Sequence, residues 1–312
     1  MNEIITIDHG ALAGQQGFSE ELFSRWTAFI DGSPKTVDTY TRAVRQFAYF
    51  LQEHGIRQPQ RQDVMAFRDS IAMTHKPTTT QSYLMAVKQF FKWTAQEGLY
   101  PNIADHVKSA KLDRGFKKDY LTSRQVGKTL AGIDRDTLRG KRDYAIMSLM
   151  VTTGLRTIEV VRADVGDMRT VADFTALFIQ GKGHLEKTDY VKVVPEAEEA
   201  IREYLQARGK TAATDPLFES IAHRNTGGRM TTRSVSRIAK ERMVDAGLDS
   251  DRLTAHSLRH TTATLNLLNG GTPQETMQLL RHSNLNTTLI YSHALERAKN
   301  NSEQRVAKAI FG

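Results

Sequence analysis

The chain has 312 residues, 39% of them hydrophobic, and sets 43 Lys+Arg against 35 Asp+Glu for a formal charge of +8. That length exceeds one ordinary domain, and the cation surplus favours a polyanionic partner, because neutralising phosphates releases condensed counterions. The absence of cysteine excludes disulfides, thiol nucleophiles and cysteine-ligated zinc, and no apolar run nears the roughly 20 residues of a membrane span.

Residues 1–17 carry Glu3 and Asp8 and lack the basic start and apolar core of a signal peptide, so they are expected to be a tail on a cytoplasmic protein with no membrane partner. Phe18 to Ile30 is apolar at helical spacing. Ser33 followed by Pro34 then supplies an N-cap and a first-turn proline, and Val37, Tyr40, Val44, Phe47 and Leu51 continue as a stripe ended by Gly55. A third helix is predicted around Val64, Phe67 and Ile71 before Pro77. A fourth is predicted around Tyr83, Leu84, Val87, Phe90 and Phe91, closed by Gly98 with Pro101 beyond. Four helices on short joints make residues 18–101 a helical bundle domain. Residues 102–121, with Lys108, Lys111, Arg114, Lys117 and Lys118, read as a charged linker.

Residues 122–312 are mixed. Asp143 to Met150 predicts a buried helix running into Thr152-Thr153-Gly154. Ala176 to Gln180 and Tyr190 to Val194 predict two strands joined by Gly181-Lys182-Gly183-His184. A helix opened by His256-Ser257-Leu258-Arg259-His260 stops at Gly270-Gly271. Thr272-Pro273-Gln274-Glu275 then starts the next with a capping box. The fold class is therefore mainly α with a small antiparallel sheet (α+β).

The side chains gathered in the second half suit metal-free phosphoryl transfer. Guanidinium forks can hold the charge that develops on non-bridging phosphate oxygens. A tyrosine hydroxyl, with an ordinary pKa of about 10, needs a helper to lose its proton, and histidine is the usual one. A lysine amine could protonate the leaving oxygen. Each residue alone has an ordinary structural reading: a half-buried tyrosine, a solvated turn lysine, a polar helix face. Their combination in order and spacing points further.

That combination resembles the tyrosine recombinase (phage integrase, Xer-like) family. The first box is matched by Thr153-Gly154-Leu155-Arg156-Thr157-Ile158-Glu159-Val160, the hairpin lysine by Gly181-Lys182-Gly183, and the His-x-Leu-Arg-His box by residues 256–260. Leu280-Arg281-His282-Ser283 is followed by Tyr291, nine positions after His282. Arg281 stands where the family usually has glycine, and Lys187, five residues past Lys182, is a second lysine in the same hairpin. His260 and His293 are expected to be structural.

The resemblance implies a helical core-binding domain followed by a mixed α/β catalytic domain. It implies a site in which Arg156 and Arg259 clamp the scissile phosphate, His282 adds a hydrogen bond and Lys182 protonates the leaving 5′-oxygen. His256 would assist proton transfer at Tyr291, the nucleophile, and Glu159 would support the pocket. No metal and no cofactor is implied. The implied partner is double-stranded DNA with inverted half-sites, gripped from opposite faces by the two domains, with a homodimer on each site and a homotetramer in the synapse. Accessory proteins can join it. The tail carrying Leu295, Ala298, Val306, Ala309, Ile310 and Phe311 docks either on a neighbouring protomer or on its own domain. Seventeen leading residues are too few for an arm-binding module, which points to a compact recombinase of the chromosome-resolution or mobile-element type. Two alternatives share parts of this pattern: a type IB topoisomerase-like nicking and rejoining enzyme, and a non-catalytic DNA-binding relative.

Overall fold

The computed structural model describes residues 20–109, 119–181, 186–286, 288–291 and 301–312. Two compact units result, Met1–Arg114 and Gly115–Gly312.

The first unit is built by aromatic residues at helical spacing. Its helices are α1 (Glu20–Phe29), α2 (Pro34–Glu53), α3 (Arg61–Thr74) and α4 (Pro77–Gln96). The Ser33 hydroxyl accepts the Thr36 amide at 3.3 Å and so caps α2, with Pro34 in the first turn, where its missing amide costs nothing. Trp26, Phe47, Phe67, Phe90 and Phe91 meet in one core. Trp26 is edge-on to Phe90 at 5.5 Å, and Phe47 is edge-on to Phe67 at 5.1 Å. Each such side chain contributes about 1.5–3 kcal/mol by leaving water, which is what lets a small bundle hold together. The third helix ends before Pro77, as predicted, and Pro77 occupies the first turn of the fourth.

The second unit is centred on α6 (Leu138–Thr153), which follows α5 (Ser123–Ala131). Ala145, Ile146, Leu149 and Met150 of α6 are buried, and the helix packs on α8 (Pro195–Arg208) and α10 (Ala255–Leu268). Between them lie α7 (Thr157–Arg162) and an antiparallel sheet of β1 (Met168–Val171), β2 (Phe174–Ile179) and β3 (Asp189–Val193), in the order β1-β2-β3. Leu177 is the register point, facing Met168 on one side and Val191 on the other. The β2–β3 pair is the predicted hairpin. β1 is additional, a four-residue strand too short and too polar to stand out by alternation. Helices α9 (Thr232–Asp245), α11 (Pro273–Leu280) and α12 (Ser302–Phe311) complete the described chain. The fold class is the expected one, mainly helical with a small antiparallel sheet.

Three local features hold the ends of α6, α10 and α11 together. Gly154 ends α6 at φ 63, a left-handed value that only glycine adopts without strain, and a Cβ there would sit 2.4 Å from the Leu280 side chain. This close approach brings the end of α6 against the end of α11. Thr272 starts α11 with a reciprocal capping box: its hydroxyl accepts the Glu275 amide at 3.1 Å, and the Glu275 carboxylate accepts the Thr272 amide at 2.7 Å. Thr262 of α10 donates to Val151 O at 2.7 Å and so fixes α10 against α6.

Candidate active site

The turn after α6 delivers two charged residues at once. Arg156 is the N-cap of α7 and Glu159 is its third residue. The Glu159 carboxylate accepts the Arg156 backbone amide at 2.7 Å through Oε2 and the Arg156 guanidinium at 2.8 Å through Oε1. It is fully buried and also accepts Arg281 Nη2 at 3.0 Å. Burial alone would raise the pKa of Glu159, but Arg281 and Arg156 together hold it below the usual carboxylate value.

Arg259 comes from the first turns of α10 and is only 2% exposed. Its Nη1 donates to Gly154 O at 2.6 Å and its Nη2 to Leu280 O. One guanidinium thus satisfies the carbonyls that close α6 and α11, which fixes its own direction. Burial, followed by the charges of Arg156 and Arg281, drives its pKa down to about 9, so it stays cationic at neutral pH.

His282 follows the last turn of α11. Its Nδ1 lies 2.8 Å from the Thr288 hydroxyl. Burial and then the neighbouring guanidiniums of Arg259, Arg156 and Arg281 lower its pKa to about 4. It is therefore a neutral imidazole in the working range, able to donate one hydrogen bond without adding charge.

Tyr291 sits in the helical stretch 288–291, 5% exposed against Ala263 and Leu280. Burial pushes its pKa up to about 12, with Arg259 pulling the other way. The phenol is therefore protonated, and its oxygen is hydrogen-bonded to His260 Nδ1 at 2.6 Å. From sequence the partner at the tyrosine is His256, with His260 structural. In the folded chain the ring on the hydroxyl is His260, and His256 packs edge-on against it at 4.6 Å between ring centroids. The spacing contained a hint, since residues 256 and 260 are one helical turn apart and share a face. Which of the two meets a residue 31 positions away is decided by packing.

Of the two hairpin lysines, Lys187 is described. Lys187 donates to Asp164 Oδ2 at 2.6 Å and to Asp167, and Arg229 also binds Asp164. Lys187 is thus committed to a local carboxylate pair. Lys182, the lysine expected at the site, lies outside the described residues, as does His293. Among the described residues no group of three or more His, Asp or Glu side chains could hold a metal ion.

The described part of the site is thus three guanidiniums, one buried carboxylate, a neutral imidazole and a tyrosine whose hydroxyl is held by histidine. Residues 119–297 match the phage integrase family model, and residues 22–100 match the family's N-terminal SAM-like domain. The tyrosine recombinase XerC of Actinobacillus pleuropneumoniae serotype 7 is 30% identical over 266 residues, covering 84% of each chain. The chain belongs to the phage integrase family. It is a tyrosine recombinase, an enzyme of site-specific DNA recombination. The XerC of Herpetosiphon aurantiacus is 32% identical to this recombinase over 268 residues, 83% of this chain and 84% of the relative. Among solved structures, the XerH site-specific recombinase in its post-cleavage complex with palindromic difH superposes with a TM-score of 0.72 at 19% identity. That match covers 95% of this recombinase and 85% of XerH.

The depressed pKa of His282 has a consequence for stability. Its folded value lies below the unfolded value near 6.5, so on acidification the unfolded chain takes up the proton first. Its contribution to stability is full above about pH 6.5 and is lost as pH falls towards the folded value. His282→Asn removes this titration. The gap in melting temperature between wild type and the variant is expected to be widest at pH 7.5 and to narrow by pH 4.5. An equal gap at both pH values would contradict the assignment.

Proposed function

We propose that this recombinase cuts DNA by attack of Tyr291 on a scissile phosphate held by Arg156, Arg259 and His282, and rejoins it by the reverse reaction. The observation that carries this reading is the Tyr291 hydroxyl hydrogen-bonded to His260 and under the charge of Arg259, with Arg156 and Arg281 paired to the buried Glu159. In the forward step the Tyr291 oxygen forms a bond to phosphorus and the bond to the 5′-oxygen breaks. The tyrosine proton passes to His260, backed by His256, while the departing 5′-oxygen takes a proton from Lys182. The products are a 3′-phosphotyrosine and a free 5′-hydroxyl. One phosphoester replaces another, so no nucleotide hydrolysis is needed, and a 5′-hydroxyl from another strand can reverse the step to make a Holliday junction.

The negative charge that develops on the non-bridging oxygens is where the guanidiniums contribute most, because they are fixed before the reaction begins. Two protomers would bind inverted half-sites of duplex DNA and four would form the synapse, with residues 18–101 and 122–312 as the two DNA-gripping domains and 102–121 as the linker between them. The helix α12 supports assembly: Val306, Ile310 and Phe311 are all exposed on it, an apolar face suited to a neighbouring protomer. Accessory proteins could set the direction of recombination, and the working place would be the cytoplasmic nucleoid.

The test uses a supercoiled plasmid with two copies of a duplex that the protein selects from a randomised pool. Recombinant circles are expected in the presence of EDTA and without ATP. Relaxation of plasmids that lack the duplex would favour the topoisomerase-like alternative, and specific binding without any strand cleavage the non-catalytic one. His260→Gln is expected to slow cleavage by about 100-fold, the low end for a lost proton acceptor, while DNA affinity stays the same. A His256 variant that is slow beside a His260 variant of full activity would return the role to His256.

A further inference from the structure

Arg281 occupies a backbone position that side chains avoid. It closes α11 at φ 53 and ψ 49, the left-handed region, where glycine is unstrained and a Cβ is penalised. Its side chain then turns inward and is 14% exposed. Nη1 donates to Leu279 O at 2.8 Å and Nη2 donates to Glu159 Oε2 at 3.0 Å. The same carboxylate accepts both the backbone amide and the guanidinium of Arg156. Arg156 and Arg281 are therefore two ends of one buried bridge, and Asp189 of β3 is the other carboxylate that Arg281 feels.

Counting formal charges, Arg156, Arg259 and Arg281 supply three positive charges against the carboxylates of Glu159 and Asp189, which leaves the cluster cationic. A phosphodiester carries one negative charge. The pentacoordinate phosphorane of an in-line displacement carries two. Without Arg281 one positive charge is lost, and Glu159, still buried, has only Arg156 left to neutralise it. The carboxylate would then draw Arg156 towards itself and away from the substrate.

We infer that Arg281 is a positioning residue for the cleavage step, holding Arg156 through Glu159 so that its guanidinium faces the scissile phosphate. This rests on the reading of the cluster as the phosphate site. Its effect falls on the reacting state rather than on binding, because Arg281 is committed to Leu279 O and Glu159 and acts on the phosphate only through Arg156, whose placement matters most as the second charge of the phosphorane develops.

The test is a double-mutant cycle on the full-length protein with a nicked duplex bearing the selected sequence. Both the rate of covalent adduct formation and the DNA dissociation constant are measured. Arg281→Gly should fold, since glycine takes this backbone conformation freely, and melting curves check that. It is expected to bind DNA as the wild type does but to form adduct roughly 10- to 100-fold more slowly, the loss typical of a slightly misplaced catalytic group. Arg281→Lys, which keeps the charge but cannot span both acceptors in the same way, should fall between the two. In a Glu159→Gln background the same glycine substitution should change the rate by less than about 3-fold, because coupled residues are not additive. Arg156→Ala cleaving at the wild-type rate would remove the phosphate-site reading and this inference with it. Arg156→Ala inactive while Arg281→Gly cleaves at the wild-type rate, or full multiplicative losses in the double variant, would overturn the role of Arg281 alone.

Discussion

The catalytic unit depends on one buried carboxylate. Glu159 caps α7, neutralises part of the charge of Arg156 and anchors Arg281, all within hydrogen-bonding distance. Three guanidiniums this close would repel one another strongly in a poorly solvated site, and desolvation adds to the cost. Glu159 makes the cluster tolerable, and the carbonyls of Gly154, Leu279 and Leu280 satisfy donors that water cannot reach. The arrangement is not neutral, however. Alongside burial, the positive charge that remains lowers the pKa values of Arg259 and His282.

The same field sets the protonation of everything around it. His282 is kept neutral by burial and its cationic neighbours, and Tyr291 is kept protonated by burial despite Arg259. The Tyr291 hydroxyl lies in short contact with His260 Nδ1, the proton acceptor in the proposed cleavage step. The backbone carries these groups on element ends rather than on loops: Arg156 at the start of α7, Arg259 and His260 on α10, His282 just past α11. Rigid termini fixed by capping residues hold the side chains where electrostatic preorganisation requires them.

Much of this was legible in the sequence because capping chemistry is local. Ser33-Pro34 and Thr272-Pro273 announced their helices directly, and the Thr152-Thr153-Gly154 run announced the end of α6. What was hidden depended on tertiary distance. The partner of Tyr291 could not be chosen between two histidines one turn apart. The double carboxylate contact of Lys187 is made with Asp164 and Asp167, about 20 positions earlier in the chain. Arg281 was visible only as a departure at a position that usually takes glycine. The structure accepts the left-handed backbone there because the side chain gains Glu159 and Leu279 as partners. β1 was missed because four residues with two exposed side chains give no alternation strong enough to see.

The central claim, that Tyr291 is the atom donor to phosphorus, is most directly tested by isolating the protein–DNA adduct formed on a nicked duplex in EDTA. After nuclease and protease digestion, the phosphorylated peptide is sequenced by mass spectrometry. The expected result is a single nucleotide-bearing peptide modified at Tyr291, with a free 5′-hydroxyl on the released strand and no adduct from Tyr291→Phe. A modified peptide elsewhere in the chain, or an adduct formed equally well by Tyr291→Phe, would contradict the account.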